Sequence, residues 1–284
     1  MEKGQAGLII IAVVVVLAII IFMFSSSGPT TTFPTGGIGG KGSALNIEQL
    51  RFKPEVFSGE SIVIEVKIKN RGIYDAKNVV LNLLGLTDEW KIDGEPLTSN
   101  HPKRTVSFPT LLGDPKLNGE EQIAIWQLTV PNKVTTLTYP FTIKLNYDYK
   151  SRYEALVRTV SPTFREKGRL LDQKITPGPI VVSLKSDEWR VIGTFTSVEL
   201  TITNSGGGEV VDRVITLKNL KNIECPQTTL TFSTKDSQIE KEITTTCKIL
   251  TGSVQEFNDI EVSFDLEYRY SIKQDKSIKV KPLA

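Results

Sequence analysis

The chain has 284 residues, and its 34 basic side chains are balanced by 32 acidic ones to a net charge of +2, which leaves no basic face for nucleic acid. Two cysteines and one histidine are too few for a disulfide-dense scaffold or for a zinc shell of thiols and imidazoles. Ala6 to Phe24 reads AGLIIIAVVVVLAIIIFMF, without a charge or a proline. As a helix this run is about 28 Å long, the thickness of a bilayer's hydrocarbon core. It exceeds the usual length of a secretory h-region, and Ser25–Pro29 (SSSGP) offers no small-residue cleavage pattern. The expectation is a retained transmembrane helix at residues 1–24 that contacts the lipid bilayer through residues 6–24. Lys3 precedes the span and the next basic residue is Lys41, so the positive-inside rule puts the N-terminus in the cytoplasm and the body outside the cell membrane, single-pass.

Lys3-Gly4-Gln5-Ala6 leading straight into the apolar run resembles the class III signal peptides of archaeal type IV pilin-like proteins. That resemblance implies processing between Gly4 and Gln5, with the helix kept on the mature chain to pack in a filament core. The sequence departs from the pattern at Ile9, where many pilins carry Glu.

Residues 25–43, SSSGPTTTFPTGGIGGKGS, hold almost nothing to bury and read as a flexible linker with a reach of about 25 Å. From Ala44 onward the period is two. In Ser61–Asn70, Ile62, Ile64, Val66 and Ile68 share a face opposite Glu65, Lys67 and Lys69, the mark of a half-buried antiparallel strand. The pattern returns in Thr138–Tyr149 and in Ile260–Tyr270, where Glu261, Ser263, Asp265, Glu267 and Arg269 are expected to face solvent. Turn residues punctuate these runs at Ser58-Gly59, Arg71-Gly72, Asn118-Gly119 and Ser205–Gly208.

The stretch SIVIEVKIKNRG from Ser61 is echoed by SVELTITNSGGG from Ser197, and each leads to a second strand, at Asn78 and at Glu209. Each unit is expected to close with a Tyr-rich strand and a separate final strand, Glu154–Pro162 and Lys276–Pro282. The fold class that follows is all-β: two tandem Ig-like antiparallel β-sandwiches, residues 44–163 and 179–284, joined at 164–178 and preceded by the single helix.

The run from Ser61 to Leu84 is similar to Ig-like modules of the CARDB type found in archaeal and bacterial surface proteins. Asn70, Gly72, Ala76 and Val79–Leu84 carry the likeness. The second unit matches less well, because Ser205 and three glycines follow Asn204. The resemblance implies noncatalytic spacers, adhesive modules or scaffolding.

Cys225 and Cys247 both fall in the second unit. If the intervening residues form a hairpin turning near Lys235-Asp236-Ser237, the two meet, and a disulfide there contributes about 3 kcal/mol by chain entropy. The alternative is a pair of buried thiols. No metal site is expected, since the lone His101 lies far away beside Pro102 in a polar loop at the surface. No Asn-x-Ser/Thr acceptor occurs.

No G-x-S-x-G elbow, phosphate loop or dinucleotide fingerprint is present, and Gly206–Gly208 lies between strands without a following helix. The adjacent acids Asp88-Glu89, Glu120-Glu121 and Asp187-Glu188 point to opposite faces if they lie on strands. Neither a cofactor nor an enzyme is expected. Trp126 reads as core, and Trp90 and Trp189 as packing at the sandwich ends, with exposed adhesive anchors the alternative. The basic stretches 150–158 and 273–281 read as solvated strand faces and edge gatekeepers. The sequence therefore points to a membrane-anchored surface protein with structural, adhesive or protein-binding roles. Its partners would be a protein, a surface polymer or further copies of itself. The alternatives are a pilin-like filament subunit and an exported accessory protein of a carbohydrate-active or other hydrolase.

Overall fold

The computed structural model of the chain describes residues 31–33, 44–114, 116, 119–235 and 238–283. The expected transmembrane helix, the Lys3-Gly4-Gln5 processing site and most of the linker lie outside the described residues. Among those described, no helix is long and apolar enough to cross a membrane.

The strands of the first half are β1 (Thr31–Phe33), β2 (Leu45–Phe52), β3 (Glu55–Phe57), β4 (Ser61–Asn70), β5 (Ala76–Leu84), β6 (Lys91–Ile92), β7 (Glu95–Pro96), β8 (Thr105–Leu111) and β9 (Glu121–Thr129). Then come β10 (Leu137–Val160), β11 (Arg169–Ile175), β12 (Ile180–Lys185), β13 (Phe195–Asn204), β14 (Glu209–Lys221) and β15 (Ile223–Glu224). The chain continues through β16 (Thr229–Thr231), β17 (Thr234–Lys235), β18 (Gln238–Ile239), β19 (Glu242–Leu250) and β20 (Phe257–Lys281). The fold is all-β and sandwich-like, with one 3-10 turn at Pro102–Arg104 among the described residues.

β1-β2-β4-β9-β6-β7 form one sheet and β12-β13-β19-β15 another. Both lie against the sheet β16-β14-β20-β10-β5-β8, to which β11 and β3 are added at β10 and β20. All neighbouring strands pair antiparallel except β3 and β20. Across the first interface, Phe52 of β2 meets Phe141 of β10 edge-on at 5.1 Å. Such a pair adds about 1 kcal/mol beyond its buried area. The inward faces of the three sheets form one continuous buried cluster, from Leu45 and Ile64 through Tyr147 to Leu200 and Ile249.

The middle of the molecule departs from expectation. Tyr147–Tyr149 and Glu154–Pro162 are not two strands separated by a turn. All 24 residues of β10 pair with β20 in unbroken register, from Leu137 opposite Val280 to Val160 opposite Phe257. The intervening Lys150-Ser151-Arg152-Tyr153 contains no glycine or proline, and its alternation stays in phase, with Ser151 and Tyr153 buried. The same holds for β20. Each long strand thus serves both halves. Residues 142–148 of β10 lie in the first half, where β5 flanks them, and residues 153–158 lie in the second beside β11. Residues 263–271 of β20 pair with β14, and residues 279–281 return to the first half against β3. Residues 164–178, expected to be a joint, contain β11. Within the expected linker, Thr31–Phe33 add a strand to the free edge of β2, as β-favouring residues do when an unpaired edge is offered.

Candidate functional site

The repeat in the sequence meets itself at the centre of this ribbon. Tyr147 stands opposite Tyr270 and Tyr149 opposite Tyr268, while Asp148 stands opposite Arg269 at the midpoint. The four tyrosines lie on the buried side, with neighbouring ring centroids between 5.9 and 6.4 Å apart. Burial pushes Tyr149 and Tyr270 up to about 12 and raises Tyr147 and Tyr268 as well. These phenols stay protonated at neutral pH, and the hydroxyls of Tyr149, Tyr268 and Tyr270 serve as hydrogen-bond partners and not as bases.

Each half presents one turn to one of these hydroxyls. In the first, Asn70 Oδ1 accepts from Gly72 N at 2.9 Å and Asn70 Nδ2 donates to Tyr74 O at 2.9 Å. Tyr74 N then donates to the Tyr149 hydroxyl at 3.4 Å. In the second, Asn204 Oδ1 accepts from Gly206 N at 3.2 Å, Asn204 Nδ2 donates to Gly208 O at 3.0 Å, and Gly208 N donates to the Tyr270 hydroxyl at 2.9 Å. A side chain has no room at either glycine. A Cβ on Gly72 would come 2.0 Å from the Tyr149 hydroxyl, and one on Gly206 would come 2.3 Å from that of Tyr270. The Asn-x-Gly pattern is therefore a steric requirement of the tyrosine above it.

On the outer side of the ribbon, above the tyrosines, lies an open groove of about 600 Å³. Asp148, Lys150, Glu267 and Arg269 form its floor, and Tyr74 with Asp75 and the irregular segment Val211–Thr216 form its walls. Asp212 and Arg213 take positive φ there, where β14 breaks register against β20. At the floor Arg269 Nε lies 3.8 Å from Asp148 Oδ1, and Asn78 donates to Asp148 at 2.6 Å.

Beside the groove, Asp265 was expected in solvent and is buried instead. Lys150 Nζ reaches it at 2.7 Å and Arg152 at 3.8 Å. The second break in β14 turns Asn219 into the left-handed region, and its amide donates to the same carboxylate. Burial pushes the Asp265 carboxyl up, but the hydrogen bonds from Lys150 and Asn219 and the charges of Lys150 and Arg152 outweigh it, and the pKa falls below the usual range. The local sequence carries no signal for this, because the covering groups come from two other strands.

The remaining candidates are scattered. β15 pairs with β19 so that Cys225 follows opposite Cys247, and the two form a disulfide with Cα atoms 4.3 Å apart. The residues between them are not one hairpin: β16 crosses to pair with β14 before β17 and β18 turn the chain back. Trp90, Trp126 and Trp189 are all buried, which leaves the anchor alternative without a surface. His101 is buried, contrary to the surface position expected. It caps the 3-10 turn, with Nδ1 accepting from Lys103 N and Nε2 3.3 Å from Glu95. Sequence reasoning passed over its neighbour Arg104, whose buried guanidinium donates to the carbonyls of Leu83, Leu86, Leu97 and Thr98. The basic stretches 150–158 and 273–281 lie on central strands, not edges, and engage carboxylates: Arg158 with Asp259, Lys273 with Glu209 and Lys281 with Glu55. The acid pairs are likewise engaged, Glu89 with Lys133 and Tyr139, Glu121 with Lys67 and Lys69, and Glu188 with Arg190. Among the described residues no group of His, Cys, Asp and Glu is arranged to hold a metal ion.

No family model matches the chain, and no curated protein does. Among solved structures, the secreted serine protease VesC from Vibrio cholerae is similar over 83% of this chain and 52% of its own, at 10% identity and a TM-score of 0.21. A Salmonella alpha-2-macroglobulin mutant is similar over 85% of this chain and 16% of its own, at 10% identity and a TM-score of 0.19. An Escherichia coli alpha-2-macroglobulin activated by porcine elastase is covered over 33% of its length, at 9% identity and a TM-score of 0.12. At these scores none of the three carries an argument about fold or activity.

Proposed function

We propose that the chain is a noncatalytic, membrane-anchored cell-surface protein. Residues 6–24 fasten it to the bilayer, and the body from residue 44 onward stands outside as two Ig-like halves of the CARDB type that share β10 and β20 and serve structural, adhesive or protein-binding roles. The observation that carries this reading is the uncharged run of residues 6–24 at the head of an otherwise polar, alternating chain. The Cys225–Cys247 disulfide supports it, because such a bond persists in an oxidising compartment. The shared β10–β20 ladder suits display: a body braced along 24 paired residues holds its far end away from its base.

A second reading, a pilin-like filament subunit, rests on Lys3-Gly4-Gln5 immediately before the apolar run. The N-terminal mass of protein extracted from native membranes separates the two. The anchored reading expects Met1 or Glu2 at the N-terminus and a small species in mild detergent. A chain starting at Gln5 within detergent-resistant polymers would replace it with the filament reading.

A further inference from the structure

We propose that the end of the first half farthest from the tyrosine junction is a lipid-contacting surface that rests on the bilayer interface; this inference depends on the anchored reading. The position of β1 directs it. Thr31 stands opposite Phe52 and Phe33 opposite Leu50, so the chain before Thr31 leaves past the outer end of β2. The inner end of β2 is at the junction, where Arg71 N donates to Ala44 O. Six residues, Ser25–Thr30, separate Thr31 from the apolar run, and fully extended they reach at most about 25 Å. The tether therefore emerges at this end and holds it close to the membrane.

That end carries four exposed apolar side chains. Val134 is 93% exposed, Leu283 70%, Phe57 51% and Leu137 41%. They adjoin one another. Ser58 Oγ accepts from Lys133 N at 2.8 Å and donates to Lys133 O at 2.9 Å, which sets the Phe57 turn beside Val134. Phe57 and Leu137 flank the end of β20, opposite Lys281 and Val280, two or three residues before Leu283. A rim of lysines surrounds them: Lys53 with Glu60, Lys133 with Glu89, and Lys279 and Lys281 with Glu55. Four lysines against three glutamates leave this rim one net positive charge, and apolar side chains ringed by lysine stems suit the headgroup region, where the stems lie along apolar surface.

The test uses the full-length chain in phosphatidylcholine–phosphatidylglycerol vesicles containing brominated phosphatidylcholine. A fluorophore is placed at Val134→Cys or, at the opposite end, at Ile192→Cys, which is 66% exposed. The expected result is that the vesicles float with protein and that lipid bromine quenches the label at 134 at least about twofold more than at 192. Flotation with equal, weak quenching at both sites overturns the lipid contact and leaves the anchored reading standing. A label at 134 shielded from aqueous iodide but untouched by brominated lipid means that a second copy covers this end, and it also overturns the proposal. Failure to float removes the anchored reading and the proposal together.

Discussion

At Asn70 and at Asn204 the chain makes the same turn beneath a tyrosine hydroxyl, but the strands that follow differ. β5 pairs with β10 through one register shift, whereas β14 breaks twice against β20, with Asp212, Arg213 and Asn219 in left-handed conformations. The half with the regular strand is filled by Trp90, Trp126, Phe52 and Phe141 and carries no disulfide. The half with the broken strand holds the Cys225–Cys247 bond, which ties down the chain that crosses between its sheets. The comparison suggests that the joint is the part both halves must build alike. Around it, one half is held by packing of large side chains, and the other tolerates irregular pairing because a covalent tie limits the unfolded chain.

The strongest way to break this comparison is to cut into each half and ask whether the other responds. Phe141→Ala and Phe264→Ala each empty a fully buried site on a shared strand and should cost about 4 kcal/mol. Because β10 and β20 belong to both halves, calorimetry should show one transition moving down in each variant. Two separated transitions would mean that the halves unfold independently. Next in size, replacing Cys225 and Cys247 together by serine should cost about 3 kcal/mol in denaturant unfolding. Because the halves unfold together, exchange of the most protected amides should rise alike in β4, β9, β13 and β19, and a rise confined to β13 and β19 would mean that the halves open separately.

The joint itself gives a paired test. Gly72→Ala and Gly206→Ala should each cost about 2 kcal/mol, near-equal because each new Cβ strikes a tyrosine hydroxyl. Removing the hydroxyls separates them again. Tyr270→Phe, which strips partners at 2.9 and 3.0 Å, should cost about 1 kcal/mol, and Tyr149→Phe, whose contact is 3.4 Å, should cost less.

The pH dependence follows from the same groups. Tyr149, Tyr153 and Tyr270 have folded pKa values raised to about 12, above the unfolded value near 10. Their contribution is complete below pH about 10 and is lost as pH rises toward about 12, because the unfolded chain releases the protons first. Asp265 works the other way: its pKa is lowered, so its contribution is present above the unfolded value and is lost as pH falls through the folded one. Asp265→Asn should flatten the acid limb of the stability profile and leave the alkaline limb unchanged.

Much of this architecture was legible in the sequence. The alternation of Ser61–Asn70 gave β4 to the residue, and Asn-x-Gly marked the turn of the first half. By sequence the second turn is the poorer match, because three glycines follow Ser205, but Gly206 and Gly208 are the residues that the Tyr270 hydroxyl and ring require. The continuous strands were hidden for a different reason. Alternation says that residues 150–153 are extended, but not which partner they pair with, and the exchange of strand ends between halves is a long-range choice. Asp265 is also out of reach, since the bulge that covers it, at Asn219, lies 46 residues away, while His101 and Arg104 lie around a 3-10 turn, where no strand alternation reports burial.

The most direct test of the whole account is protease shaving of intact cells, followed by alkaline-carbonate extraction of their membranes. The account predicts that external protease removes the β-rich body, that a short N-terminal fragment stays in the carbonate-resistant membrane, and that Cys225 and Cys247 are oxidised before digestion. Full-length protein recovered untouched in the soluble cytosolic fraction, with both thiols free, would contradict it.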